Sequence, residues 1–111
     1  KVYPMEEYLR RMKGAGRLQS MPSALEGLSH YWDNYGASDK AKGSDVYIKE
    51  RGSEYFMLRC DRVEAPSPAC DVTKVRPDGL QISYSFSSSH LAAWDDIDRD
   101  VNQRIDQFKA D

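Results

Sequence analysis

Gly79-Leu-Gln-Ile-Ser-Tyr-Ser-Phe-Ser87 is the stretch on which the fold class turns. Leu80, Ile82, Tyr84 and Phe86 fall on one side of an extended chain, and Gln81, Ser83, Ser85 and Ser87 on the other, because successive side chains of a strand point to opposite faces. A helix would scatter the same residues around its axis. The stretch therefore predicts a strand whose sheet has one buried and one wet face, the usual pattern of antiparallel sheets.

Working upstream, Arg76-Pro-Asp-Gly79 puts proline and glycine where a tight turn needs them, so residues 70–75 should fold back as the neighbouring strand. A period of two recurs at 45–50 and at 54–61, around a turn at Arg51-Gly-Ser53, which reads as a hairpin. In the second of these strands Phe56, Leu58 and Cys60 should face inward and Tyr55, Met57 and Arg59 the open side. The expectation is a four-stranded antiparallel meander over residues 45–87.

Downstream, Ser88 or Ser89 can cap a helix over residues 90–109. Leu91, Trp94, Ile97, Val101, Ile105 and Phe108 form its apolar stripe, at spacings only a helix brings together. Asp95, Asp96, Asp98 and Asp100 occupy its first half, with Arg104 and Lys109 near its end, which complements the helix dipole. Asp96, Asp98 and Asp100 have the start of a calcium-loop spacing, but Val101 stands where the loop needs glycine and Gln107 where it needs an acid. A solvated acidic face is the better reading.

At the other end, residues 4–13 carry helix punctuation. Pro4 opens them, Glu6 and Glu7 follow, Arg10, Arg11 and Lys13 close them, and Met5, Tyr8, Leu9 and Met12 make one stripe. That helix needs a partner surface, on its own domain or on a second copy of the chain. Ser23-Ala-Leu-Glu26 fits a capping box, and Leu25, Leu28, Trp32 and Tyr35 follow at helical intervals up to Gly36. Residues 37–44 are small and polar and read as a loop. The fold class expected is α+β in one domain, 1–111: a helical N-terminal region (4–36), a β-meander (45–87) and a C-terminal helix (89–109) laid on one sheet face.

Cys60 and Cys70 are the only cysteines, and they bracket the loop between the second and third expected strands. One disulfide stapling that hairpin is the simplest reading, and disulfides persist in oxidising compartments. With a first residue, Lys1, that is not methionine, the pair points to the periplasm or another extracytoplasmic compartment, with a signal or membrane anchor upstream. Two cysteines and two isolated histidines, His30 and His90, do not make a metal site.

The formal net charge is −2 and charged residues make up 31% of the 111. No basic stripe exists for phosphates, so nucleic acid is not an expected partner. No apolar run reaches the roughly 20 residues a membrane span requires. The serines of 83–89 lack a nucleophile elbow, and the glycines at 14, 16 and 43 lack a phosphate-cradling pattern. Neither catalytic residues nor a cofactor are indicated. One chemical pairing stands out: His30 and Asp33, three residues apart, would share a helix face.

Tyrosine, tryptophan, methionine and arginine dominate binding hot spots. Tyr31 at the edge of the second helix, and Tyr47, Tyr55, Met57 and Arg59 on the open sheet face, are the candidate contact residues, unless the N-terminal helices cover them. Asp95 and Asp96 could meet a basic surface. The function expected is a non-enzymatic protein-binding domain outside the cytoplasm, such as an inhibitor or toxin-neutralising immunity protein whose partner is a secreted toxin or envelope protein. The alternative is a soluble sensor or assembly domain of a membrane-anchored envelope protein, and a third reading is a small hydrolase in which His30 and an acid converge.

Overall fold

The computed structural model describes residues 5–34, 42–49, 54–63, 66 and 68–110. The elements run α1 (Met5–Gly14), β1 (Leu18–Met21), β2 (Ser29–Asp33), β3 (Ser44–Ile48), β4 (Tyr55–Asp61), β5 (Ala69–Val75), β6 (Gln81–Ser87), a 3-10 turn (Ser88–Ala93) and α2 (Trp94–Ala110). All six strands form one antiparallel sheet in sequence order.

This corrects the expected architecture: the sheet has six strands rather than four, and one N-terminal helix rather than two. The expected second helix is a loop and a strand. Ser23 does organise a turn, its Oγ accepting from the Leu25 N–H, but Gly27 adopts a φ of 85° and reverses the chain, a conformation glycine reaches without a Cβ penalty. Beyond it Ser29–Asp33 is extended and pairs with both β1 and β3. Its aromatic residues are strand formers, and a helix through Gly27 would have cost about 1 kcal/mol relative to alanine. The turn expected at 51–53, Pro4, Tyr35, and most of the 37–44 loop lie outside the described residues.

The two helices cover opposite faces of the sheet. Met5, Tyr8 and Leu9 of α1 pack with Leu18 and Tyr55 on Tyr31, Val46, Ile48 and Met57. On the other face Trp94 joins Leu28, Tyr47, Phe56, Leu58, Cys60, Cys70 and Val72, with Leu25, Tyr84, Phe86 and Leu91 around them. β3 and β4 are therefore buried on both sides. Val46, Tyr47 and Ile48, and Phe56, Met57 and Leu58, are three consecutive buried residues in each strand.

Each helix is also tied down by charge. Asp33, fully buried, accepts from Arg17 at 3.0 Å and from Arg59 at 3.1 Å, and Arg59 reaches on to the Tyr8 hydroxyl of α1 at 3.2 Å. Across the sheet, fully buried Lys74 donates to Asp98 of α2 at 2.9 Å, and the Tyr84 hydroxyl donates to the same carboxylate at 2.7 Å. Burial and that hydrogen bond push the Tyr84 hydroxyl far above its ordinary pKa. Asp98 is thus no part of a solvated acidic face. The stripe predicted for α2 is incomplete in turn: Trp94 is buried, but Phe108 is 84% exposed.

Cys60 and Cys70 are bonded and are direct register partners on β4 and β5, 4.2 Å apart at Cα. The bond lies within the core shared with Trp94. For a loop closed by ten residues of separation, the stabilisation is about 2–3 kcal/mol. Among the described residues, no helix is long and apolar enough to cross a membrane.

Candidate functional site

His30 and an acid do converge, but the acid is Asp45. Asp33 points to the opposite face of β2, under α1, because adjacent parity separates it from His30. His30 lies opposite Tyr47 in the β2–β3 register and stacks on its ring at 4.4 Å. Its Nε2 is 2.8 Å from Asp45 Oδ1 and its Nδ1 is 3.2 Å from the Pro22 carbonyl oxygen. Arg62 grips the same carboxylate through Nε at 3.0 Å and Nη2 at 2.8 Å, with its guanidinium 5.5 Å over the Trp32 ring. Trp32 Nε1–H donates to the Lys42 carbonyl at 2.8 Å.

Burial works to raise the Asp45 carboxyl, but the hydrogen bonds from Arg62 and His30 outweigh it and hold the group below its ordinary range. Both imidazole nitrogens face oxygen acceptors, so neither offers a lone pair toward a substrate. This cluster ties the β2–β3 hairpin to the chain after β4 and has the form of a structural ion pair.

The predicted contact residues divide among three places. Tyr31, Tyr55, Met57 and Arg59 come together, but under α1: Tyr31 and Met57 are buried, and Arg59 is engaged with Asp33 and Tyr8. The covering helix is the arrangement that leaves this face closed. Tyr47 belongs to the other face and is also buried. Asp95 and Asp96 are exposed at the start of α2, where each accepts from Arg99, and they rim a cavity of about 470 Å³ floored by Leu25 and Trp94.

Among the described residues, the sheet edge left uncovered is that of β6. The ladder with β5 is bounded by two backbone bonds, Arg76 N–H to Leu80 O at 2.9 Å and Ser88 N–H to Pro68 O at 2.8 Å. Hydrogen-bonded pairs recur every second residue in an antiparallel ladder. Both ends therefore place Ile82, Tyr84 and Phe86 in the pairs that bond to β5. The N–H and C=O groups of Gln81, Ser83 and Ser85 point the other way, to the free edge, and their side chains are exposed. The same parity puts Cys70 in a non-hydrogen-bonded pair with Cys60, where Cα atoms approach most closely.

Exposed strand edges are ordinarily blunted by shortness, charge or proline. β1, the other edge, has four residues and runs into Pro22. β6 has seven, Gln-Ile-Ser-Tyr-Ser-Phe-Ser, with neither charge nor proline. Beside its first residue lies an apolar groove of about 510 Å³ between Leu80, 39% exposed, and Ile105 and Phe108 of α2. Arg76–Asp106 and Lys109–Asp78 ion pairs, at 2.6 and 3.0 Å, hold that end of α2 to the β5–β6 turn.

A meander over residues 45–87 already makes the strand at 79–87 its last and so an edge; the outward turn of the Gln81, Ser83 and Ser85 backbone groups is what the structure adds. No family model matches the chain, and neither a curated protein nor a solved structure matches it.

Proposed function

We propose that this is a non-enzymatic protein-binding domain that works outside the cytoplasm and meets its partner through the free edge of β6 and the groove beside it. The observation that carries the reading is the uncharged seven-residue edge with the backbone groups of Gln81, Ser83 and Ser85 turned outward. Strand addition to such an edge takes its affinity from main-chain hydrogen bonds and its selectivity from pockets for alternate side chains. The Leu80–Ile105–Phe108 groove supplies such a pocket. A buried cross-strand disulfide in so small a domain supports the oxidising compartment, and the engagement of both His30 nitrogens supports a binding role over hydrolysis. The inhibitor and assembly-domain readings share this surface, and differ in whose strand lies against it.

Ser83→Pro removes an outward N–H and leaves the bonds to β5 in place. The test is affinity capture from an envelope fraction with wild type and S83P, followed by titration of the purified captured protein. Saturable binding that S83P abolishes is the expected result. Binding that S83P leaves intact, or hydrolysis of a test ester that His30→Ala removes, overturns the proposal.

A further inference from the structure

Resting on the reading of β6 as the contact edge, we infer that the strand it takes is β6 of a second copy of this chain, paired antiparallel about a two-fold axis through Ser83. Three observations support that occupant and that register.

The first is hydrogen-bond parity. The outward groups belong to odd-numbered residues, so a two-fold at Ser83 sets Ser83 opposite Ser83 and Gln81 opposite Ser85 of the second copy. Every outward N–H of these residues then meets an outward C=O, as a hydrogen-bonded antiparallel ladder requires. The side chains at these positions are small or uncharged and lie on the sheet half that α1 leaves open.

The second is the apolar match on the other face. The same register sets exposed Leu80 opposite half-buried Phe86 of the second copy, and Ile82 opposite its Tyr84. Such aromatic–aliphatic cross-strand pairs are favourable. The groove of Leu80, Ile105 and Phe108 then receives the Phe86 end of the other β6, and the exposed Phe108 ring is covered.

The third is charge. α2 runs back along β6, with Asp98 near Tyr84 and Lys109 near Asp78. A two-fold therefore lays one α2 antiparallel to the other, so that the Asp95 and Asp96 end, which also carries Arg99, runs alongside the Arg104 turn of its mate. An isologous interface of this kind closes at two copies and uses up the edge, which a one-sided contact would leave exposed.

The test is sedimentation equilibrium of the purified chain over a concentration series reaching millimolar, with Ser83→Lys, Ser83→Glu and Phe108→Asp alongside. Ser83 and Phe108 are both exposed, and a far-ultraviolet spectrum checks that each variant is folded. Wild type should dimerise. S83K and S83E, each placing like charges face to face across the axis, should each weaken the dimer on the order of ten-fold or more, and an equimolar mixture of the two should restore it as a heterodimer. F108D should weaken it as well. A dimer indifferent to these changes, or an S83K and S83E mixture no tighter than either alone, overturns the inferred pairing. A wild type that stays monomeric also overturns it; if it still captures an S83P-sensitive foreign partner, the second copy alone is refuted, and if it captures none, the β6 edge is refuted with it.

Discussion

Lys74 and Asp98 are an expensive pair for a small domain to bury, since each gives up its hydration and is repaid only through well-formed contacts. Here the carboxylate takes Lys74 and the Tyr84 hydroxyl, while Glu54 approaches the ammonium at 3.3 Å. Asp98→Ala should therefore cost about 3–5 kcal/mol in urea unfolding, because it takes away the buried ammonium's nearest carboxylate, leaving it Glu54 alone, and strips the Tyr84 hydroxyl of its acceptor. The triple change Lys74→Met, Asp98→Leu, Tyr84→Phe should recover most of that loss. A triple variant no more stable than D98A would mean that the ion pair itself, and not the uncompensated charge, supplies the stability. Asp45 acts differently, through pH. Its folded pKa lies below the ordinary value, so it contributes stability above its unfolded pKa of about 3.9, and that contribution is lost as the pH falls through the lower folded value. Asp45→Asn should lower the urea midpoint at neutral pH, and the gap from wild type should close as the pH drops from about 5 toward 2. A gap that stays constant over that range would remove the linkage to Asp45.

Among the elements, β6 carries a prediction that depends only on parity. Ser83 turns its N–H outward and Tyr84 turns its N–H to β5. At protein concentrations too dilute for association, Ser83→Pro should fold with a midpoint close to wild type, whereas Tyr84→Pro should lose about 3 kcal/mol or more by breaking the ladder. Equal damage from both would put the backbone register one residue out. The strand was legible in advance because Leu80, Ile82, Tyr84 and Phe86 alternate with polar residues. Over residues 23–34 the helical spacing of Leu25, Leu28 and Trp32 misleads, because Gly27 among them is the stronger signal. β1, at Leu18–Met21, is too short to show a period, and its strand character comes from pairing with β2.

For the molecule as a whole, the arrangement of α1 and α2 on opposite faces sets which substitutions are costly. A strand with one wet face would tolerate truncation at every second residue. Because β4 is covered on both sides, Met57 against α1 and Leu58 in the core shared with Trp94, Met57→Ala and Leu58→Ala should each cost about 2–5 kcal/mol. Denaturation midpoints of the two variants check this, and a near-neutral M57A would mean that α1 does not close that face. Alternation with Phe56, Leu58 and Cys60 does set Tyr55, Met57 and Arg59 on one face together, but that face is closed and not open. What alternation lacked was the destination of α1, whose stripe of Met5, Tyr8 and Leu9 was visible but whose landing place was not.

The sequence by itself determined the local periods, hence the strands within residues 45–87 and both terminal helices, the turn at Gly79, and the cysteine pair, since two cysteines flanking a hairpin have only each other. These follow from interactions between residues a few positions apart, where side-chain alternation and backbone preference act directly. Only the tertiary structure decided that six strands join in one sheet, that α1 closes the face of Tyr55, Met57 and Arg59, that His30 meets Asp45 and not Asp33, and that Asp98 is buried on Lys74 while Phe108 stays in solvent. Those outcomes rest on contacts between residues more than ten positions apart. A period of two or of 3.6 residues records which face of an element is apolar, but carries no information about which other surface covers it.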